Sequence, residues 1–303
     1  MAQQEAMDMI TFMEKFETDE KCREYLYRVR WPVGFICPKC GEKEEPFQII
    51  SRHLYQCRHC THQASVTAGT IMDGTRTPLR KWFLAIYLMG SDKRGCSALR
   101  LKRELKIAYD TAWTISHKIR KAMGERDGLY LLQGTVEMDE AFFGSPDEGG
   151  KRGRGSDKTP VVVGLSLGEK GEPTYCRAQV LKNADGEAIK VFAKQAVLLG
   201  SVILTDGLKI YRLLGESGYV HRAKKVDSTK EPEYLKWLHI IVSNMKAFVT
   251  GTYHGLDARH LQAFLDEFCF RFNRRFWQGE LFARTLVACT SATPFPRAKL
   301  IMS

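Results

Sequence analysis

The chain has 303 residues, enough for two or three domains with a sizeable core. Its 44% hydrophobic and 27% charged residues are ordinary for a globular protein, and the lack of any run of about 20 apolar residues excludes a helical membrane span. The anomaly is sign: 46 Lys+Arg against 35 Asp+Glu leave +11, a balance that favours a polyanionic partner, nucleic acid before anionic membrane.

Residues 1–30 read as a helical segment, with Ile10, Phe12, Met13, Phe16, Cys22, Tyr25 and Leu26 at mostly helical spacing. The first residues, Met1-Ala2-Gln3-Gln4-Glu5, carry neither the basic nor the apolar region of a secretory signal, so a cytoplasmic location is expected. Next, over 31–66, come Cys37-Pro38-Lys39-Cys40 and Cys57-Arg58-His59-Cys60, two C-x-x-C pairs with sixteen residues between them. Two thiolates from one tight turn hold one edge of a tetrahedral zinc, and a second pair closes the site. Gly41 supplies the positive φ such a knuckle needs, while Phe47, Ile49, His53, Leu54 and Tyr55 suit short strands. A lone pair would also suit a redox dithiol, but duplication points to a zinc ribbon. Four cysteine ligands leave no open position, so this zinc is structural. The other five cysteines, Cys22, Cys96, Cys176, Cys269 and Cys289, are scattered and read as reduced thiols.

Over 75–125 the pattern is helical. Leu79, Trp82, Phe83, Ile86 and Tyr87 form one stripe. A short helix opens at Ser97 and stops near Lys106, and a third starts at Tyr109. This is the arrangement of a helix-turn-helix. Lys118, Arg120 and Lys121 on the third helix would then contact DNA; in a plain helical spacer they would be solvated.

From 133 to 280 the sequence changes character. Strands are expected at 135–143, 160–167 and 175–181, a helix at 185–199 and a very apolar strand at 201–205. A helix at 209–214, a strand near 219–226 and two helices, 234–250 and 260–271, complete an α/β domain whose order fits a ribonuclease H-like sheet. Lys151, Arg152 and Arg154 lie in a glycine-rich loop, where they track a DNA backbone or are merely solvated. Residues 281–303 read as a C-terminal tail.

Two carboxylates hold matching places: Asp139 in the first strand of this domain, and Asp206 at the end of the apolar strand, before Gly207. A charge in such surroundings is costly unless paired, and a divalent cation with oxygen ligands, magnesium or manganese, meets that need. A solvated strand-end turn is the plainer reading of Asp206 alone. Asn244 falls on a stripe with Trp237, Ile240, Ile241, Phe248 and Gly251. Its amide either completes a metal site or bonds the sheet edge. His239 and Lys246, seven residues apart, share another face and either touch a phosphate or are solvated.

The four-cysteine ribbon, Gly95-Cys96-Ser97-Ala98-Leu99-Arg100-Leu101, Val136-Glu137-Met138-Asp139-Glu140, Leu204-Thr205-Asp206-Gly207, Ser243-Asn244-Met245-Lys246, Gly251-Thr252-Tyr253-His254-Gly255 and Arg271-Phe272-Asn273-Arg274-Arg275 form an ordered set. In that set the chain resembles bacterial insertion-sequence transposases with a zinc-ribbon N-terminus, the ISXO-two-like group. The resemblance implies a ribonuclease H-like catalytic domain of the acidic-triad type, with Asp139, Asp206 and Asn244 holding divalent ions and Lys246 beside them. Such a site cuts and joins DNA by in-line attack of water, then of a 3′-hydroxyl, on phosphorus. It further implies double-stranded DNA partners, the element's terminal inverted repeats and its target, a homo-oligomer assembled on DNA, and a place at the bacterial nucleoid. Asn brings no charge, so Glu267 or Glu140 is a candidate helper, although Glu140 neighbours Asp139 on a strand and faces the other way. A non-catalytic zinc-ribbon regulator and a nuclease that does not join strands are the competing functions.

Overall fold

The computed structural model describes residues 7–144, 158–224, 234–253 and 256–302 and divides into two compact units, Met1–Arg126 with Phe276–Ser303, and Asp127–Arg275. In the first unit α1 (Met9–Lys15) starts at Asp8, whose carboxylate accepts the backbone N–H groups of Ile10 and Thr11. Helix α2 (Asp19–Arg30) is capped in the same way by Thr18. The ribbon follows as a three-stranded antiparallel sheet, β1 (Phe47–Ile49), β2 (Leu54–Gln56) and β3 (Gln63–Ala64). Tyr55 of β2 stacks near Tyr27 and Trp31, with Phe35 alongside, so a cluster of aromatic rings joins ribbon and α2. Three more helices complete this stretch: α3 (Leu79–Ser91), α4 (Ala98–Leu105) and α5 (Tyr109–Asp127).

The second unit is built on a five-stranded sheet of β4 (Thr135–Phe143), β5 (Thr159–Leu167), β6 (Pro173–Val180), β7 (Val202–Thr205) and β8 (Val220–Ala223), in the order β6-β5-β4-β7-β8. β4, β5 and β6 form an antiparallel meander, then β7 joins parallel to β4 and β8 parallel to β7. Helix α6 (Gly186–Ala196), capped by Asp185, makes the crossover between β6 and β7. Three antiparallel strands extended by two parallel ones give the ribonuclease H-like sheet.

Alternation along β4 divides its side chains between two cores. Val136 and Met138 pack with Val162, Ile203, α6 and the 3-10 helix Lys209–Ser217. Ala141 and Phe143 pack with Val161, Val163, α7 (Lys236–Thr252) and α8 (Leu261–Phe272). The outer margin of β6 is occupied by side-chain amides. Asn273 accepts from the Cys176 N–H at 2.8 Å and donates to its carbonyl at 3.0 Å; Gln262 does the same for the Val180 N–H at 2.8 Å and the Ala178 carbonyl at 3.1 Å.

The expected C-terminal tail is corrected by the structure. Residues 281–302 form α9 (Leu281–Ser291) and α10 (Arg297–Met302), which belong to the first unit. Phe282 enters the aromatic core of Phe12, Phe16 and Phe83, and the Ile71 N–H donates to the Cys289 carbonyl. Apolar residues at helical spacing in α9 are buried because α2 and α3 offer them a face.

Candidate functional site

The four ribbon cysteines converge on one point. Cys37 Sγ lies 3.6 Å from Cys60 Sγ, and Cys40 Sγ 3.7 Å from Cys57 Sγ. A regular tetrahedron with Zn–S of about 2.3 Å has edges of roughly 3.8 Å, so these donors fit zinc. Both knuckles are alike. Gly41 N donates to the Cys37 carbonyl and Thr61 N to the Cys57 carbonyl, at 2.9 and 3.0 Å. Gly41 has φ +76° and Thr61 φ +57°, so the second knuckle places a β-branched residue where the first has glycine. Burial raises the Cys37 thiol, but backbone N–H groups of Cys40 and Lys39 aimed at its sulfur outweigh that and hold it at about 6. Among the described residues this is the one group of three or more Cys, His, Asp or Glu side chains converging tightly enough to hold a metal.

The second cluster lies at the end of the sheet. Parallel pairing of β4 with β7 runs Thr135↔Val202, Val136↔Ile203 and Glu137↔Leu204. Asp139 and Asp206 each stand two residues beyond the last pair, so they occupy equivalent places on neighbouring strands. Gly207, at φ +80°, lets the chain turn away directly after Asp206, whose Oδ1 accepts the Leu208 N–H. Asp139 Oδ1 accepts the Glu140 N–H at 2.8 Å; Oδ2 lies 3.8 Å from His239 Nε2. His239 is raised above its ordinary value, first by the Asp139 carboxylate that faces it and further by the charges of Glu137 and Asp206. Glu137, one residue pair back on the same face, is buried and accepts the Leu238 N–H at 2.9 Å, which anchors the first turn of α7 to β4. Glu140 points to the opposite face, as alternation requires, where Tyr211 meets it.

Sequence reasoning placed Asn244 on the buried stripe of α7, and the structure corrects this. Leu238, Ile241, Met245, Phe248 and Val249 are buried, while Trp237, Ile240 and Asn244 are exposed. Asn244 is five residues from His239, about 140° round the helix. His239, which the sequence left as either a phosphate contact or a solvated residue, is the α7 side chain beside Asp139. Lys246, exposed on the same flank as His239, has its ammonium 5.8 Å from the Phe143 ring of β4. Glu267 is buried in α8 with Arg271 at 3.6 Å, an ion pair within the helix.

The basic candidates of α5 also need correction. Ala112, Ile115, Ser116, His117, Ile119, Arg120, Ala122 and Met123 are all buried, so this helix is surrounded by protein. Arg120 is 1% exposed and donates to Ser116 Oγ and the Cys96 carbonyl, which makes it a tie within the core. Half-buried Lys118 donates to the Ile71 carbonyl, and Lys121 pairs with Glu125 at 3.2 Å. Exposed positions in this module include Lys102, Arg103 and Lys106 of α4 and its turn, with Tyr109 and Asp110 at the start of α5. Lys151, Arg152 and Arg154 lie outside the described residues.

Two family models match the chain. A transposase zinc-ribbon domain matches residues 17–63, and an ISXO2-like transposase domain matches residues 131–273. The chain thus carries the zinc-ribbon and transposase domains of the ISXO2-like transposases. The ribbon match takes in all four cysteines, and the transposase match takes in Asp139, Asp206, His239 and Asn244. A relative from Halobacterium salinarum, an uncharacterized protein in transposable element ISH50, is 26% identical over 223 residues, 67% of this chain and 72% of its own. A solved structure, that of a pre-cleavage Mos1 transpososome, aligns with 67% of this chain and 76% of its own at 11% identity. Its TM-score of 0.25 is too low to bear on the reading. No helix among the described residues of the transposase is long and apolar enough to cross a membrane.

Proposed function

We propose that this transposase binds the ends of its insertion sequence as double-stranded DNA and catalyses metal-dependent strand cleavage and strand transfer in the cytoplasm, as a homo-oligomer assembled on that DNA. The observation carrying the reading is the equivalent placement of Asp139 and Asp206, each two residues past the last β4–β7 pair, inside a domain of transposase type. Their oxygen donors fit magnesium or manganese, hard cations that take carboxylates. Bound there, such an ion would supply charge to stabilise the oxygens of an in-line phosphoryl transfer. Asp139 would offer Oδ2, since Oδ1 is engaged by the Glu140 N–H. The His239 imidazole stands next to it, where it can orient Asp139 or the phosphate.

Asn244 and Lys246 enter this reading through the family pattern. The exposed amide of Asn244 joins Asp139 on one ion only if α7 turns or shifts as DNA and metal arrive. Lys246, on the His239 flank, is placed to follow a strand backbone along β4. Duplex DNA would approach the helical module at α4 and the first turn of α5, where Lys102, Arg103, Lys106 and Tyr109 are exposed.

The deciding experiment is strand transfer of labelled terminal-repeat duplex into plasmid DNA with Mg²⁺ or Mn²⁺. Asp139→Ala and Asp206→Ala should abolish joining while end binding persists. Cleavage without joining by the unaltered chain would make it a nuclease, and end binding without cleavage a regulator.

A further inference from the structure

The 3-10 helix Lys209–Ser217 opens three residues after Asp206 and sends Tyr211 back beneath the sheet. The ring is fully buried, packed in the cluster that contains Val136, Met138 and Ile203. Its hydroxyl sits just past the point where β7 stops pairing with β4, within reach of carboxylates from both faces of that strand. There it lies 2.7 Å from Glu140 Oε2 and 3.4 Å from Asp139 Oδ1. A core tyrosine needs a partner for its hydroxyl, but one carbonyl would serve. This one is aimed at two adjacent carboxylates, on an element fixed to the chain just past a third.

We propose that Tyr211 is a positioning residue of the catalytic centre: its hydroxyl ties the Asp139–Glu140 pair of β4 to the segment that follows Asp206, so that Asp139 presents Oδ2 outward. The proposal rests on the reading of Asp139 and Asp206 as holders of a divalent cation. A hydroxyl has one proton, and the nearer oxygen, Glu140 Oε2, receives it. Asp139 Oδ1 takes the Glu140 N–H as its main donor, and the hydroxyl lies against it at the long limit of hydrogen bonding. Glu140 is thereby held beside Asp139 without turning its own charge upon it. A phenol is protonated at neutral pH, so the group is a donor. Outer hydrogen bonds of this kind fix the geometry of ligating carboxylates, and their loss typically costs 10–100-fold in metal affinity.

The test uses the full zinc-loaded chain, with Mn²⁺ as the probe, read by the electron paramagnetic resonance of unbound ion. Wild type, Tyr211→Phe, Tyr211→Ala and Asp139→Asn are compared, and each is also melted without Mn²⁺. Tyr211→Phe keeps the ring and removes only the hydroxyl, so it should melt close to wild type yet bind Mn²⁺ at least about tenfold more weakly. Wild-type affinity in Tyr211→Phe, with binding lost in Asp139→Asn, would overturn the proposal and leave the ion site standing. Wild-type affinity in Asp139→Asn would overturn the ion site, and the proposal with it. A metal-free melting temperature for Tyr211→Phe as low as that of Tyr211→Ala would assign the hydroxyl to stability alone, and the positioning role would fall.

Discussion

Phe282 of α9 stands edge-on to Phe12 of α1, with ring centroids 5.6 Å apart and planes at 81°. A helix near the end of the chain therefore completes the core begun by the first. Phe282→Ala should cost about 3–5 kcal/mol, the usual range for emptying an aromatic site. Urea unfolding monitored on the isolated first unit, expressed as residues 1–126 joined by a linker to 276–303, measures this directly. Residues 1–126 alone should expose the face that α9 covers and aggregate; a soluble, cooperatively folding fragment would contradict the packing.

The ribbon should hold one zinc per chain, and Cys57→Ser should release it and unfold the module. Zinc sites of this kind contribute on the order of 10 kcal/mol to folding. A finer test is Thr61→Gly. Glycine accepts φ +57° without the penalty a β-branched residue meets, so zinc retention against a chelator should improve, by up to about 1 kcal/mol after the entropy of glycine is set against it. Faster zinc loss from Thr61→Gly would show that the Thr61 hydroxyl, bonded to the Cys60 carbonyl, matters more than the strain.

His239 and Asn244 make opposite predictions on one helix. If the arrangement of α7 seen here persists with metal bound, His239→Ala should change Mn²⁺ affinity and Asn244→Ala should not. If α7 turns so that Asn244 becomes a ligand, Asn244→Ala should remove strand transfer, and Asn244→Asp should retain some of it and tighten Mn²⁺ binding. Titrations of Mn²⁺ with and without terminal-repeat DNA separate the two.

His221 of β8 lies 2.9 Å from Thr205 Oγ1 of β7, and burial holds its imidazole below the ordinary 6.5. The folded chain thus favours the neutral ring more than the unfolded chain does. The associated stability is present above the unfolded value and is lost as pH falls through the lower folded value. Denaturant midpoints should therefore decline from pH 8 to pH 5, and His221→Gln should flatten that part of the decline. An unchanged profile in His221→Gln would remove this group as its cause.

Much of the second unit was legible because its strands carry strong local signals. Runs such as Val161-Val162-Val163 and Val202-Ile203-Leu204 admit little but buried strand, and the turn chemistry between them fixed their limits. Asp139 and Asp206 stood out as charges in apolar runs. Asn244 failed for a definable reason. Trp237 and Ile240 are large and apolar, so periodicity assigned them inward, whereas the buried face is rotated to Leu238 and Met245. Composition cannot show which apolar residues a helix leaves exposed. Arg120 failed for the converse reason, since a charge reads as surface until its partners, Ser116 and the Cys96 carbonyl, are known. Tyr211 carried no signal at all, because its two carboxylate partners lie about seventy residues away in sequence.

Asn273 and Gln262 act on β6 as though they were a sixth strand cut down to two amides. They answer the outward N–H groups at Cys176 and Val180 and the outward carbonyls at Cys176 and Ala178, so these positions are closed to a passing extended chain. If copies of this protein gather on DNA as proposed, bare sheet margins would risk fusing them. Here that side of the sheet is closed by residues with no part in the chemistry. Replacing both amides with leucine would preserve side-chain bulk but leave an adhesive seam, and indiscriminate self-association would be expected.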